Sequence, residues 1–264
     1  MNYEPDNLSS YLFSVISFNI RFGLADDGMN RWAHRKHAVA ELFQKYPADF
    51  ICVQELNDFQ IEFLHELLPE YHYIGVHKPA PDFWQNNVIF YRNTIECLEN
   101  QHFFLSETPF QPSSSWGSRW PRQCTIGRYK VGSSELICIN THFDFEEPAQ
   151  YKSAQLIWQK ITTQFQDIPA ILMGDFNVEP DSKTYRWLTG QFDELANTLP
   201  DFKETFKSPY PGTSHRFTGK PVTGLIDWIL YRGDLRFKKC LVIEDSFDGM
   251  FPSDHFPVMA YFEV

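Results

Sequence analysis

The sequence predicts an α/β fold in which two β-sheets pack face to face and a few helices cover them. Short runs of apolar and β-branched residues recur along the 264 residues, whereas helical patterns are few. The order of the two patterns is irregular, while a doubly wound sheet would alternate more regularly. Hydrophobic residues make up 43% of the chain, enough for a large core. We predict one domain over residues 1–264, with residues 1–10 as a flexible lead-in.

The first part of the chain predicts strands with two helices between them. Residues 11–20 are rich in Val, Ile and Phe and predict a buried strand. Asn30 precedes a periodic stretch, so we expect it to cap a helix that Pro47 closes. The elements expected next are a strand at 49–54, a helix at about 57–68 that ends at Pro69, and strands near 71–76, 87–92 and 95–105.

A long loop is predicted over residues 106–122, which contain prolines, three consecutive serines and Gly117. Long loops in compact domains tend to be functional or disordered, and Trp116 and Trp120 favour a function here. The elements expected beyond it are a hairpin of strands near 123–131 and 135–142, a helix at about 148–165 beginning at Pro148, a strand at 168–173, a second loop region at 199–221, and strands near 225–231, 236–243 and 256–263.

The chain is acidic, with a formal net charge of −11. Neutralising the phosphates of a duplex needs Lys and Arg, so this charge argues against a broad basic face that holds double-stranded nucleic acid. A site that handles one phosphate at a time remains compatible with it. The five cysteines are scattered and form no CxxC pair. We therefore expect neither a disulfide framework nor a cysteine zinc site, and a reducing compartment fits best.

The N-terminal segment gives no sign of export. Residues 1–10 are polar and acidic and lack the basic and apolar regions of a signal peptide. The chain also has no apolar run close to the roughly 20 residues of a membrane span. We therefore expect a cytoplasmic protein that does not cross a membrane.

Polar side chains recur where the apolar strands end. Asn19 ends the first strand, Glu55 ends the second, and Asp175 and Asn177 follow the strand at 168–173. A carboxylate beside an apolar run is unfavourable unless it is paired or binds a metal. Repetition at several strand ends predicts a shared cleft. The other members of this set are Asn140, His142, Asp144, Asp227, Asp254 and His255.

These residue types suit phosphoester hydrolysis. Mg²⁺ prefers carboxylate and carbonyl oxygens, with Mn²⁺ as the expected substitute, and such oxygens are available from Glu55, Asn19, Asp175 and Asp254. Asp175 can act on the attacking water, and His142, Asn177 and His255 can donate to the phosphate. A histidine that must be cationic gains from a buried carboxylate neighbour, and Asp227 is the candidate partner of His255.

Seven short segments, taken in order, resemble the motifs of the endonuclease/exonuclease/phosphatase superfamily. They are Ser17 to Arg21, Gln54-Glu55, Asn87 to Tyr91, Asn140 to Asp144, Gly174 to Asn177, Ile226-Asp227-Trp228 and Ser253 to Pro257. Each segment is weak evidence alone, whereas seven in the family's order over residues 11–263 make a specific match. Phe104 to Pro109, with Pro121-Arg122, is similar to a bacterial subgroup related to the deadenylases.

The resemblance implies a four-layer α/β sandwich, that is, two packed mixed β-sheets flanked by helices, with the site at one edge. It implies that Glu55 is the main metal ligand, with Asn19 and Asp254 near the metal. It further implies that Asp175 lies at the attacking water and that His255 pairs with Asp227. Asn177 would orient the water or the phosphate, and His142 would contact a phosphate oxygen. Further substrate or phosphate contacts are expected from Arg122, Asn140, Asp144, Asn87, Trp116 and Trp120.

Two positions depart from the family's pattern. Repair-type members carry an acidic residue two positions after the first-strand asparagine, where this chain has Arg21. A repair-type metal shell is therefore in doubt. Many members have Glu two residues before Asn87, where this chain has Gln85, which puts an acid role at that position in doubt.

Several of these residues also have simpler interpretations. Asn19 could cap a turn, and Asp144 could cap the helix that follows it. Glu55 could be a charge at the N-terminus of the next helix that interacts favourably with the helix dipole. Asp227 could form a structural ion pair, Arg122 could be an ordinary surface arginine, and Trp116 and Trp120 could belong to the local core. His34 and His37 lie three residues apart on a predicted helix, but no third ligand accompanies them, so a helix face is expected rather than a metal site.

The leading functional hypothesis is a Mg²⁺-dependent phosphodiesterase that uses in-line attack of water on phosphorus. Its substrate partner would be single-stranded nucleic acid or a nucleotide, and no protein partner is implied. A second hypothesis keeps the chemistry but changes the substrate to a lipid or sugar phosphate, which the acidic charge favours. A third hypothesis, a non-catalytic binding module, is opposed by the complete set of site residues. Specificity in such scaffolds lies in loops, so the fold does not identify the substrate.

Overall fold

The short apolar runs of the sequence form the strands of two β-sheets. This computed structural model describes residues 10–191 and 199–264. The first six strands of the described chain are β1 (Leu12–Asn19), β2 (Phe50–Leu56), β3 (Tyr71–Ile74), β4 (Asn86–Arg92), β5 (Glu96–Phe104) and β6 (Gln123–Val131). The other six are β7 (Ser134–His142), β8 (Ala170–Asp175), β9 (Lys203–Glu204), β10 (Asp227–Arg232), β11 (Arg236–Val242) and β12 (Val258–Glu263).

The strands divide into two six-stranded mixed sheets. The first has the order β11-β12-β1-β2-β4-β3, and the second has the order β5-β6-β7-β8-β10-β9. Each sheet contains one parallel pair, β1 with β2 and β7 with β8, and its other neighbouring strands are antiparallel. Because parallel neighbours place their carboxyl ends at the same edge, the polar residues that end β1, β2, β7 and β8 are brought to one edge.

Helices cover the outer faces of both sheets and complete the four-layer α/β sandwich. The helices are α1 (Trp32–Lys45), α2 (Asp58–Leu67), α3 (Glu147–Gln164) and α4 (Lys183–Leu188). The first two bury Leu42, Phe43 and Leu64 against the first sheet. The other two bury side chains such as Ile157 and Leu188 against the second. The predicted fold class is therefore confirmed.

A largely apolar core between the sheets holds them face to face. The Phe50 ring of β2 lies 4.9 Å from the Tyr129 ring of β6, in an edge-to-face arrangement. Nearby, the Cys52 and Cys138 sulfur atoms, from opposite sheets, are 3.6 Å apart. All five cysteines are free, as the sequence predicts. Within residues 10–191 and 199–264, the helices are too short or too polar to span a membrane.

The predicted elements agree with the structure except at three places. Asn30 does not cap α1, because it lies in a 3-10 turn (Gly28–Asn30) and Arg31 takes the extended cap conformation without a side-chain bond. Helix α4 was not predicted, although Ser182 caps it by accepting from the Tyr185 amide at 3.2 Å. Strand β9 lies inside the region predicted as a loop at 199–221. The lead-in over residues 1–10 falls almost entirely outside the described residues.

His102 of β5 is expected to make folding sensitive to acid. Burial, with a contribution from neighbouring His77, lowers the pKa of His102 to about 4. The unfolded chain protonates this ring below about pH 6.5, whereas the folded chain resists protonation until about pH 4, so stability is lost as the pH falls through that window. Between pH 7.5 and 4.5, the free energy of unfolding of the wild type should fall by about 2 kcal/mol more than that of His102→Gln. Urea denaturation measures this difference, and the same pH dependence in both proteins would contradict the assignment.

Candidate active site

Three neighbouring strands of the second sheet carry a row of buried polar side chains at one edge. Asp227 of β10 pairs in register with Asp175 of β8, and His142 of β7 pairs in register with the same Asp175. Side chains paired in register on adjacent strands point to the same face. This face is the one that packs on the first sheet, because the Asn19 amide of β1 donates to Asp175 Oδ2 at 2.9 Å. The row therefore lies where the two sheets meet.

Glu55 reaches the same place through a bulge in β2. Strand alternation alone would place Glu55 beside Ile51 and Val53, on the face that α1 and α2 cover. The register with β4 shifts between Val53 and Leu56, and Glu55 has a φ of 65°. Such bulges re-aim side chains, often next to active sites. The Glu55 carboxylate then lies 3.2 Å from the Asn19 amide nitrogen and also accepts from the Phe22 amide at 2.6 Å.

Asn19 thus connects the two sheets at the site. Its amide nitrogen donates to both Glu55 and Asp175, so two carboxylates converge on one atom. Its side-chain oxygen, Oδ1, accepts from the Arg21 backbone amide at 2.9 Å, which forms the turn after β1. The turn-capping interpretation and the site interpretation of Asn19 are therefore compatible.

Asp175 is almost completely buried, and its environment makes ionisation difficult. Burial, and then the nearby Asp227 carboxylate, raise the pKa of Asp175 to about 7. His255 and hydrogen bonds from Asn19 and from the Asn177 amide at 2.9 Å act in the opposite direction. A carboxylate with a pKa near neutrality exchanges a proton with water more readily than an ordinary aspartate does.

His255 and Asp227 form a close pair. The ring Nδ1 lies 2.9 Å from Asp227 Oδ2, and both residues are buried. Burial opposes a charged ring, but the carboxylates of Asp227, Asp175 and Asp254 raise the pKa of His255 to about 10. The ring is therefore an imidazolium at neutral pH. The second oxygen of Asp227 is buried without a hydrogen-bond partner among the described residues.

His142 behaves in the opposite way and is neutral. Burial, together with the positive charges of Arg122 and His255, lowers its pKa well below the ordinary value. The Asn177 amide nitrogen lies 3.0 Å from His142 Nε2 and 2.9 Å from the Phe143 carbonyl oxygen. An amide nitrogen can only donate, so His142 Nε2 accepts and the ring proton is on Nδ1. His142 and Asn177 were expected to donate to a phosphate, whereas here they bond to each other beside Asp175.

Asp254 lies at the rim of the site, with 15% of its side chain exposed. Its Oδ1 accepts from the Ser253 hydroxyl at 3.2 Å, and its Oδ2 lies 3.8 Å from the Arg21 guanidinium. Arg21 also makes two bonds to Asp27, at 2.8 and 2.9 Å. Asp27 therefore holds an arginine at the site.

The loop at 106–122 is tied to the site by Asp144. This buried carboxylate accepts from the Ser118 hydroxyl and the Arg119 amide, both at 3.1 Å, and lies 3.4 Å from Arg122 Nε. The residue that precedes α3 in the cap position is Glu146, so Asp144 does not cap that helix. Arg122 has a side chain only 10% exposed, which excludes the interpretation as an ordinary surface arginine.

The tryptophans of this loop are not core residues. Trp120 is 59% exposed, and the half-buried Trp116 donates to Glu107 within the loop at 3.2 Å. Local core was the simpler interpretation of both residues, and the exposure of Trp120 contradicts it. Phe145, 56% exposed, lies beside Arg122, whose guanidinium is 5.7 Å from the ring centre.

Asn140 and Asn87 were expected to contact substrate, but the structure places them between the sheets. The Asn140 amide nitrogen donates to the carbonyl oxygens of Val53 and Val88 at 3.0 and 2.9 Å, and its oxygen accepts from Gln54 at 2.7 Å. Both amide protons are therefore used to join strands. Asn87 donates to the Gln123 carbonyl oxygen at 2.8 Å. The structure thus gives both residues bracing contacts beneath the site.

Arg35 is a site-supporting residue that the sequence patterns did not indicate. It is completely buried, and its Nη1 donates to the carbonyl oxygens of Ile20 and Pro252 at 2.6 and 2.8 Å. Its Nη2 donates to the Arg21 carbonyl oxygen at 2.8 Å. Arg35 thus joins the segment after Asn19 to the segment before Asp254. Its position three residues after buried Trp32 was the available signal, because that spacing places it on the buried face of α1.

The oxygen atoms at this edge fit a hard divalent cation. Mg²⁺ and Mn²⁺ prefer oxygen ligands, and this edge offers the carboxylates of Glu55 and Asp254 and the side-chain oxygen of Asn19. Ligand atoms of Asp175, Asp227 and His255 also lie within 4.8 Å of one another. That trio fits a cation less well, because His255 is protonated and its Nδ1 is already bonded to Asp227. His34 and His37 lie on an exposed part of α1, as predicted.

Comparisons with known proteins agree with the fold. Residues 16–255 match the sequence profile of the Endonuclease/Exonuclease/phosphatase family. A solved protein of that family from Bacteroides thetaiotaomicron is 27% identical, with a TM-score of 0.85 over 96% of this chain and 98% of that one. A mannosyl-6-phosphatase from the same organism is 28% identical, with a TM-score of 0.84 over 95% of this chain and 99% of that one.

Some similar proteins are much longer than this chain, and one of them is the Nocturnin of Drosophila melanogaster. It is 26% identical over 99% of this chain but only 47% of its own length. A CCR4-Not 3'-5'-exoribonuclease subunit of Mycosarcoma maydis is 25% identical, and 50% of it is covered. The chain thus spans about half the length of these curated relatives.

Proposed function

The chain belongs to the endonuclease/exonuclease/phosphatase family, and from that premise we propose that it is a Mg²⁺-dependent phosphodiester hydrolase acting on a nucleotide or a short single strand. The family consists of metal-dependent phosphoesterases. The cytoplasmic location expected from the sequence belongs to the same proposal. One observation carries it: two carboxylates from opposite sheets, Glu55 and Asp175, converge on the Asn19 amide beside the charged His255.

The ion would be held chiefly by Glu55, with Asn19 and Asp254 completing its protein ligands. When bound, it would polarise a phosphoryl oxygen and offset the negative charge that grows there. Mn²⁺ would serve in its place, since it accepts the same oxygen ligands.

The chain's own residues supply the remaining chemistry. Asp175, with its raised pKa, accepts a proton from the attacking water and orients it. Asn177 and His142 hold the surroundings of Asp175 through their mutual hydrogen bond. The His255 imidazolium, kept charged by Asp227, donates toward the phosphoryl oxygens as their charge increases.

The rim of the site would position the substrate. Arg122 would contact a phosphate oxygen, because Asp144 holds its guanidinium at the edge of the row. The exposed rings of Trp120 and Phe145 would lie beside the base or sugar, since exposed aromatic rings stack well on both. Trp116 would act indirectly, through its bond to Glu107 in the same loop.

A second candidate keeps the mechanism but uses a sugar or lipid phosphate. The acidic charge of the chain, −11, favours a small substrate over a polyanion. The similarity to a mannosyl-6-phosphatase over nearly the whole of both chains supports it as well. The similarity to the exoribonuclease subunit supports a nucleotide substrate.

A substrate panel separates these candidates. Turnover of bis-p-nitrophenyl phosphate, short RNA, single-stranded DNA, a mononucleotide and mannose 6-phosphate would be measured with Mg²⁺, using Asp175→Asn as the inactive reference. We expect hydrolysis of the diester and of at least one nucleotide substrate, at rates about 10²-fold or more above the reference. Turnover of mannose 6-phosphate alone would favour the second candidate. No metal-dependent turnover of any phosphoester would overturn the proposal.

A further inference from the structure

Arg21 occupies an unusual position for an arginine next to a metal-binding edge. Its Nε and Nη2 donate to the two oxygens of Asp27 at 2.9 and 2.8 Å, and its Nη1 lies 3.8 Å from Asp254 Oδ2. The side chain is 33% exposed, whereas each carboxylate is 15% exposed. The guanidinium therefore fills the space between two mostly buried carboxylates.

The backbone fixes this position. The Arg21 amide donates to Asn19 Oδ1 at 2.9 Å, and its carbonyl oxygen accepts from Arg35 at 2.8 Å and from Gln60 at 3.1 Å. Arg21 has a φ of 68°, in the left-handed region that ordinary residues avoid. Three hydrogen bonds hold it there. Such strain persists only when the surrounding structure determines it, which distinguishes Arg21 from a mobile surface arginine.

Two carboxylates at the rim of the site face the same guanidinium. Asp27 lies 2.8 Å from Arg21 Nη2, and Asp254 lies 3.8 Å from Arg21 Nη1. A guanidinium stays charged and can pair with carboxylates on more than one side. Arg21 therefore supplies a fixed positive charge between two acidic side chains of the kind that could otherwise bind a second cation.

A second divalent ion would need carboxylates that are not otherwise engaged. Asp175 accepts from Asn19 and Asn177, and one oxygen of Asp227 is bonded to His255. The other oxygen of Asp227 has no hydrogen-bond partner among the described residues, but one buried oxygen is too few ligands for a second ion. The remaining acids are Asp27 and Asp254, and both face Arg21. A second ion would therefore have to displace the guanidinium from its two partners.

We propose that Arg21 is a resident cation in place of a second metal ion, so that the centre takes one divalent ion at Glu55. This inference rests on the proposed function, because it assumes that Glu55 binds the catalytic ion. Arg21 and that ion would share the Asp254 carboxylate, whereas Asp27 is paired with Arg21.

The number of bound ions tests the proposal without any measurement of turnover. Metal-free full-length protein would be titrated with Mn²⁺ by isothermal calorimetry, with circular dichroism as the check on folding. We expect one ion for the wild type and for Arg21→Lys, which keeps the charge. Arg21→Gln should bind two, the second about tenfold or more weakly than the first. The matched control is Arg92→Gln, an arginine paired with Glu70 at 3.1 Å, and it should bind one.

A charge-restoring variant makes the test sharper. Arg21→Gln combined with Asp27→Asn removes one charge of each sign, so we expect that double variant to return to one ion. Two ions in the wild type would overturn the proposal, and this result does not depend on whether a variant folds. One ion of unchanged affinity in folded Arg21→Gln would also overturn it.

A further variant separates this inference from the proposed function. If Glu55 is the main ligand, Glu55→Gln should abolish the binding of the one ion seen in the wild type, or weaken its affinity at least about 10²-fold. If one ion still binds Glu55→Gln with full affinity, the assignment of the metal to Glu55 fails. In that case the inference about Arg21 fails together with the proposed function. If the wild type binds two ions and Glu55→Gln loses both, only the inference about Arg21 is overturned.

Discussion

Asp175→Asn should lower kcat for phosphodiester hydrolysis by about 10³-fold or more, equivalent to about 4 kcal/mol of transition-state stabilisation. The asparagine keeps the size of the side chain, and its single oxygen can accept from either Asn19 or the Asn177 amide but not from both. It cannot accept the proton of the attacking water. KM should change less than kcat, because the lost interaction acts mainly in the transition state. Steady-state kinetics on bis-p-nitrophenyl phosphate with saturating Mg²⁺ measures both quantities.

Asp167→Asn is the matched control for this result. Asp167 is an exposed aspartate in the turn before β8, so the same chemical change there should leave kcat within about twofold. If Asp175→Asn retained more than a tenth of the wild-type kcat while folding normally, Asp175 would not be the group that acts on water.

Asp227→Asn should lower kcat at pH 8 by about 10² to 10³-fold through its effect on His255. In the wild type the ring stays charged up to the pKa of about 10. Without the Asp227 carboxylate, burial is the largest remaining influence, and burial disfavours the charged form. The pKa of His255 should therefore fall below 8, and the ring should be neutral at the pH of the assay. Kinetics together with an NMR titration of the histidine rings would record both changes.

An exposed aspartate again provides the control. Asp248 lies in a turn with a φ of 50°, a conformation that asparagine tolerates, so Asp248→Asn should change neither the histidine titration nor kcat. A charged His255 at pH 8 in Asp227→Asn would contradict the role assigned to this pair. A kcat within threefold of the wild type would contradict it as well.

Much of the fold follows from local patterns in the sequence. The strands are short apolar runs, and those that end at Asn19, His142 and Asp175 keep their polar residues at the strand ends, as predicted. The short helix α4 has only six residues, fewer than two turns, so it shows too little periodicity to predict. The two-residue strand β9 depends on its pairing with β10, which is a tertiary contact.

The directions of individual side chains were harder to predict. Glu55 points to the site because of a bulge, and alternation along β2 would have turned it toward the helices. Asn140 lies two residues before the end of β7, deep enough for its amide to join strands of the other sheet. Gly174 precedes Asp175 because a Cβ there would lie 1.9 Å from the Thr141 carbonyl oxygen. That requirement appears only once β7 and β8 are paired.

Arg35 shows why charged residues on a helix are difficult to place from sequence. An arginine in an amphipathic helix normally faces solvent, and the spacing of three residues from buried Trp32 was the one local signal that Arg35 does not. In the structure, the carbonyl oxygens of Ile20, Arg21 and Pro252 converge from two distant segments and accept hydrogen bonds from its two Nη atoms. Its burial therefore depends on contacts more than 200 residues apart in the chain, which no local pattern records.

Removal of the metal tests the central claim most directly. Wild-type protein would be freed of divalent ions with a chelator, and hydrolysis of bis-p-nitrophenyl phosphate would be followed before and after addition of Mg²⁺ or Mn²⁺. We predict that turnover falls at least about 10³-fold without metal and is restored by either ion, with circular dichroism unchanged. Undiminished turnover of the chelated, folded protein would contradict a metal-dependent phosphoester hydrolase built on Glu55, Asp175 and His255.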